Sequence, residues 1–191
     1  QRSQDMLTAN NWNVCQYAAL LIMLNKMYGG TIIGGKGATG GCVRVNNAAA
    51  VFEMYGGAIY GGKTSGLGHN LYIRSCQNTL LAGGQIAGGV YYEGGVLQLG
   101  GDIVIDNALT AQFGEELYVP SYSLKMPTSK TAEVSGNLAS QARIVLSLAG
   151  SSVSVNNVAE ESQCACFFLT DTDCVRTYDP DTLTLTLTPK E

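Results

Sequence analysis

The chain has 191 residues, with 24 Gly, only 4 Pro, 46% apolar and 14% charged residues. Its glycines come in pairs rather than at every third position, which excludes a collagen-type helix, and this apolar content supports one buried core instead of a disordered chain. The 11 basic and 15 acidic residues sum to −4 without any Lys/Arg run, which excludes an electrostatic grip on nucleic acid or an anionic membrane and leaves neutral partners.

The opening residues Gln1-Arg2-Ser3-Gln4-Asp5 lack an initiator Met and a basic n-region, so the chain reads as processed or excised from something longer. Residues 1–28 form a degenerate first coil or N-terminal cap in this reading. Aligned at the repeat described below, that segment places Trp12 and Val14 on Thr39 and Gly41, and Ala18 on Val45. Ala18 to Leu24 is an unbroken apolar run, far short of the roughly 20 residues a bilayer span needs, so no membrane insertion is expected. Ala, Leu and Met favour a short helix there, burying Leu21, Met23 and Leu24 over an open core.

From Tyr28 onward the main signal is a repeat. Glycine pairs at 29–30, 56–57 and 83–84, with followers at 34–35, 61–62 and 88–89, recur every 27 residues. The same shift lays Met27 on Met54 and Leu81, Ile32 on Ile59 and Ile86, Lys26 on Glu53, and Cys15 on Cys42. Within one period, Thr31-Ile32-Ile33, Cys42-Val43-Arg44-Val45 and Val51-Phe52-Glu53-Met54 are short, alternating and bounded by Gly or Asn, which predicts three strands per turn. Paired glycines rule against helical repeats at about 1 kcal/mol each, and strands this close together have no room for βαβ crossovers. A β-sandwich with Gly-rich hairpins gives no reason for a fixed period. The expected fold is therefore all-β: residues 29–150 coil so that each strand pairs in parallel with its copy about 4.8 Å away, Ile, Val, Met and Leu pointing inward. Glycine pairs mark corners needing positive φ or close backbone approach.

Met-Tyr-Gly-Gly-Thr-Ile at 27–32, Met-Tyr-Gly-Gly-Ala-Ile-Tyr-Gly-Gly at 54–62 and Gly-Gly-Val-Tyr-Tyr at 88–92 resemble the repeats of right-handed parallel β-helix proteins on bacterial surfaces. Such proteins are found in gut Firmicutes and are described as adhesin-like or pectin-lyase-like. The resemblance covers residues 8–148, with Glu116-Leu117-Tyr118-Val119-Pro120, a Gly136-Asn137-Leu138 turn and Arg143-Ile144-Val145-Leu146 similar to a last coil. Gly-Gly-Ala-Ile is also similar to the repeat of chlamydial polymorphic membrane proteins, whose Phe-x-x-Asn partner motif is missing here. The resemblance implies a right-handed parallel β-helix and a secreted or cell-surface setting.

Residues 151–191 differ in kind. No glycine occurs from Ala159 onward, and Thr182 to Thr188 alternates strictly, which predicts a strand with one apolar and one Thr face. An open end of stacked strands needs covering, so this segment reads as a C-terminal antiparallel β cap with Tyr178-Asp179-Pro180-Asp181 as its turn, or else as a separate small binding domain.

No catalytic, metal or cofactor site is predicted. The only His, His69, falls in register with Cys42 and has no nucleophile motif beside it; no CxxC spacing suits zinc. Gly34 to Gly41 lacks the Gly-Lys-Ser/Thr ending of a phosphate loop, and Asp171-Thr172-Asp173 lacks the rest of a calcium loop. Asp102 and Asp106 sit about 13 Å apart on one strand face, too far for an acid/base pair on one glycosidic bond. The six cysteines suit an oxidising compartment. Cys15 and Cys42, one period apart, are expected to be bonded or to form a thiol ladder. Cys164 and Cys166, on one strand face, are expected to offer one partner to Cys174, leaving the other for Cys76 or free.

The candidate binding residues are Tyr28, Tyr55, Tyr60, Tyr91 and Tyr92, which either stack on one another at corners or line a ridge that meets sugar rings or a partner protein. The functional expectation is a non-enzymatic extracellular module, stalk-like or adhesive, binding polysaccharide or a host or partner protein. Its alternatives are a polysaccharide lyase or glycoside hydrolase on the same fold, which requires a groove with at least three convergent charged side chains, and a subunit that self-associates end to end into a fibre.

Overall fold

A computed structural model describes residues 20–21, 24–114 and 117–191. Its strands, in chain order, are β1 (Leu20–Leu21), β2 (Leu24–Met27), β3 (Thr31–Ile33), β4 (Lys36–Gly37), β5 (Val43–Val45), β6 (Val51–Tyr60), β7 (Lys63–Thr64), β8 (Leu71–Ile73), β9 (Cys76–Ile86) and β10 (Val90–Tyr92). They continue with β11 (Gly95–Gly101), β12 (Val104–Ile105), β13 (Leu124–Lys125), β14 (Ala132–Leu138), β15 (Arg143–Ser147), β16 (Val153–Asn156), β17 (Phe167–Leu169), β18 (Cys174–Asp179) and β19 (Thr184–Pro189). The architecture is all-β, dominated by one large sheet in which most pairings are parallel, with a separate parallel pair β4–β7. Among the described residues no helix is long and apolar enough to cross a membrane.

The pairing repeats the spacing seen in the sequence. Lys26 lies opposite Glu53 and Met27 opposite Met54, which in turn faces Leu81. Ile32, Ile59 and Ile86 form a second such ladder. A third runs through Val43, Leu71, Val90, Leu124, Leu146 and Leu169. Apart from Met27, at 3% exposure, and the partly buried Ile32, the described members of the first two ladders are fully buried. Parallel in-register stacking brings identical positions together, so one inward apolar residue per period builds a continuous core.

The second glycine of each pair explains why the pairs recur. Gly30, Gly57 and Gly84 all have φ between +83° and +92°, and a Cβ on Gly57 or Gly84 would sit 2.5–2.6 Å from the carbonyl oxygen of the stacked glycine before it. β6 and β9 continue through these points, with shifts in their mutual register.

The period is not uniform. Val43 pairs with Leu71, 28 residues on, so Asn70 rather than His69 is in register with Cys42; one residue more separates Gly62 from Leu71 than Gly35 from Val43. Leu20 pairs with Val43, 23 residues on, which removes the expected alignment of Ala18 on Val45. Six residues, 45–50, separate Arg44 from Val51, whereas two separate their partners Leu21 and Leu24, which accounts for the four-residue shortfall. The expected helix over Ala18 to Leu24 is also corrected: Leu20–Leu21 and Leu24–Met27 are strands, because parallel partners in β5 and β6 outweigh helix propensity. Trp12, Val14, Cys15 and Ala18 lie outside the described residues.

Between Ile105 and Leu124 the chain leaves the repeat. Asp106 caps a 3₁₀ turn, Asn107–Leu109, through Ala108 N–H at 2.9 Å, and a single helical turn, Thr110–Phe113, follows. This excursion folds back over the second set of glycine pairs: Leu117 contacts the space above Gly61, and Pro120 that above Gly89. Gly136-Asn137-Leu138 lies within β14 rather than in a turn.

Parallel pairing extends beyond residue 150, since β16 pairs with β14 and β17 with β15. The antiparallel unit is the hairpin β18–β19, which lays β19 on β16. Leu185 and Leu187 are buried while Thr184, Thr186 and Thr188 face outward, as alternation requires. Asp179 Oδ1 accepts from Asp181 and Thr182 N–H, closing an Asx-type turn after β18.

Candidate functional site

The five tyrosines do not converge on one ridge. Tyr28 and Tyr55, one period apart, stack with ring centroids 5.2 Å apart and planes 10° from parallel. They are 58% and 40% exposed. Beside them Glu53 accepts from Lys26 Nζ at 2.8 Å and from Tyr55 Oη at 2.8 Å. The hydrogen bond from Lys26 holds the Glu53 carboxyl below the usual range, and the bond to Glu53 raises the Tyr55 phenol. The result is an exposed aromatic pair with a polar rim.

Tyr60 is occupied instead. Phe113 from the excursion stacks on it at 4.1 Å with planes 1° apart. Tyr91 packs against Tyr72 at 6.1 Å, and Arg44 lies 5.9 Å over Tyr72; Tyr72 Oη bonds Glu93, which also pairs with Arg74. Tyr92 is corrected as a binding residue: the strand that turns Tyr91 outward turns Tyr92 into the core, at 4% exposure, with Oη donating to Gly95 O at 2.7 Å.

The cysteine expectations change as well. Cys42, Cys76, Cys164, Cys166 and Cys174 are free thiols, and the Cys15 partner proposed for Cys42 lies outside the described residues. Cys164 and Cys166 belong to a 3₁₀ segment, Glu161–Cys166, rather than to a strand. Cys166 Sγ donates to Ala139 O and Cys174 lines a surface hollow, and neither Cys164 nor Cys166 is bonded to Cys174. Burial pushes the Cys42 thiol up to about 12, which makes it a poor nucleophile.

Asn70 is the buried polar residue that the repeat alone does not announce. Its Oδ1 accepts from Gly62 N–H at 2.9 Å and lies 3.5 Å from Cys42 Sγ; its Nδ2 donates to Ala87 O and Gly88 O at 3.0 and 2.9 Å. It therefore ties together three successive repeats near their glycine pairs. His69, its neighbour, accepts at Nδ1 from Thr64 N–H at 3.2 Å, which leaves the proton on Nε2 to meet Tyr118 Oη at 3.3 Å. Burial lowers the His69 pKa. This is a neutral, structurally engaged histidine without a nucleophile beside it.

Three carboxylates of the repeat region are spent locally. Glu53 serves Lys26 and Tyr55, Glu93 serves Arg74 and Tyr72, and Asp106 pairs with Arg143 at 2.7 Å while capping its 3₁₀ turn. Asp102 and Asp106 do not share one strand face, because β11 ends before Asp102 and β12 before Asp106. Among the described residues no three His, Cys, Asp or Glu side chains gather as a metal site would require. A concave site does occur near the C-terminal end, lined by Arg143, Phe168, Asp171, Asp173, Arg176 and Lys190. No protein-family model, curated protein or solved structure matches this chain.

Proposed function

We propose that the chain is a non-enzymatic extracellular module of a bacterial surface or secreted protein, coiled as a right-handed parallel β-helix and binding a neutral polysaccharide through the Tyr28–Tyr55 stack. The observation that carries this reading is the stack itself: two near-parallel phenol rings, exposed, beside a carboxylate and an ammonium. Sugar rings present apolar C–H faces to aromatic rings and hydroxyls to polar rims, so this combination suits them. The in-register ladders and the glycine corners support the coiled arrangement. The extracellular setting rests on the repeat resemblance, because the described thiols are free and carry no redox argument.

A polysaccharide-cleaving enzyme is the second reading, favoured by the C-terminal hollow, where five charged side chains line one concavity. That hollow lies on the closing strands, and Glu53, Glu93 and Asp106 are engaged elsewhere. Stacking through the C-terminal end is disfavoured by coverage of its last parallel strands, β16 by β19 and the outer edge of β17 by Arg176.

Affinity electrophoresis of the chain through gels carrying neutral polysaccharides, with a parallel assay for newly formed reducing ends or unsaturated products, tests the proposal. Retarded migration without product release supports it. Product release, or free migration through every polysaccharide, overturns it.

A further inference from the structure

The hollow near the C-terminal end has a volume of about 640 Å³, within the range of small-molecule sites. Phe168 of β17 lines it, and two guanidiniums lie over the Phe168 ring: Arg143 of β15 at 4.1 Å and Arg176 of β18 at 5.2 Å. Each guanidinium is fixed by a second interaction. Arg143 Nε donates to Asp106 Oδ2 at 2.7 Å, and Arg176 donates from Nε and Nη2 to Phe167 O at 2.9 and 2.7 Å. Both Nη groups of Arg143 and Nη1 of Arg176 remain free of these bonds, on side chains already ordered. Pre-ordered guanidinium forks suit carboxylates, since little side-chain freedom is left to lose on binding.

The rim carries charges of both signs that do not neutralise each other. Lys190, Asp171 and Asp173 line the hollow, and among the described residues none of the three joins a salt bridge. Lys190 and Asp173 meet through the backbone instead, Lys190 N–H donating to Asp173 O at 3.0 Å. A polyanion would meet two carboxylates here, and a simple cation would meet three basic groups. A ligand with one charge of each sign satisfies both sets.

We propose that this hollow binds a small zwitterion of the amino-acid or short-peptide class, with its carboxylate on Arg143 and Arg176 and its ammonium facing Asp171 and Asp173. The site is separate from the Tyr28–Tyr55 stack and does not depend on the polysaccharide reading.

Amide chemical-shift titration of the isotopically labelled chain tests it with four probes: glycylglycine, N-acetylglycine, glycinamide and sodium sulfate. The expected result is saturable shifts over residues 168–176 with glycylglycine, about tenfold weaker binding of N-acetylglycine, and none with glycinamide. Asp173→Asn, an exposed change, is expected to weaken glycylglycine toward the N-acetylglycine value and to leave N-acetylglycine itself unchanged. Arg143→Gln is expected to abolish both, with melting curves showing whether the fold survives. Equal binding of sulfate or glycinamide overturns the proposal, as does the absence of saturation with glycylglycine up to about 10 mM.

Discussion

Arg176 holds the carbonyl oxygen of Phe167 with two N–H groups, at 2.9 and 2.7 Å, on the outer edge of the last parallel strand. Phe167 is fully buried, so that oxygen has no water to fall back on. With the Leu169–Thr172 bridge beside it, the guanidinium stands where the next parallel strand would pair. Arg176→Ala is expected to destabilise the chain by about 1–3 kcal/mol, the cost of an orphaned buried acceptor. It is also expected to produce concentration-dependent oligomers in size-exclusion chromatography where the parent stays monomeric.

The glycine corners make a sharper contrast. Gly29 has open space where a Cβ would go and no positive φ, whereas Gly84, at φ +87°, would drive a Cβ to 2.6 Å from Gly57 O. Gly84→Ala is expected to cost more than about 2 kcal/mol, combining left-handed strain with a backbone clash. Gly29→Ala is expected to be neutral or slightly stabilising. Denaturant melts of the two variants decide it.

His69 imposes a pH dependence. Burial lowers its folded pKa, so below the unfolded value of about 6.5 the unfolded chain binds more protons than the folded one. Stability from the neutral imidazole is present above about pH 6.5 and is lost progressively as pH falls through the lowered folded value. Melting temperature is expected to drop between about pH 7.5 and pH 5.5, and His69→Gln is expected to flatten that drop. An unchanged slope would contradict the account.

Thiol reactivity should follow burial. Cys42 is buried, with its thiol raised to about 12, while Cys174 is half-buried on the rim of the hollow. Peptide mapping after alkylation of the native chain should find Cys174 modified well before Cys42, which reacts only on unfolding.

What was legible in the amino-acid order was what repeats. Met27, Met54 and Leu81, like Ile32, Ile59 and Ile86, are equally spaced and apolar, and parallel stacking converts equal spacing directly into contact. The Tyr28–Tyr55 stack follows from the same rule. Asn70 did not stand out, because one residue more between Gly62 and Leu71 moves the register past His69 and no local pattern marks the shift. Phe113 on Tyr60, and Tyr118 on His69, come from a non-repeating excursion whose return path depends on tertiary packing. The hollow joins β15, β17 and β18 across a switch from parallel to antiparallel pairing, which residue spacing does not encode. Tyr92 was readable: alternation from the inward Val90 turns it inward too.

The most direct test of the account is the affinity of Tyr55→Ala for the polysaccharide that retards the parent chain, measured by titration calorimetry beside Tyr92→Phe. Removing one ring of the exposed stack is expected to weaken binding about tenfold or more, in the range of a buried aromatic anchor, whereas loss of the buried Tyr92 hydroxyl leaves affinity unchanged. Equal affinities for Tyr55→Ala and the parent, with both proteins folded, would contradict the assignment of the Tyr28–Tyr55 stack as the binding surface.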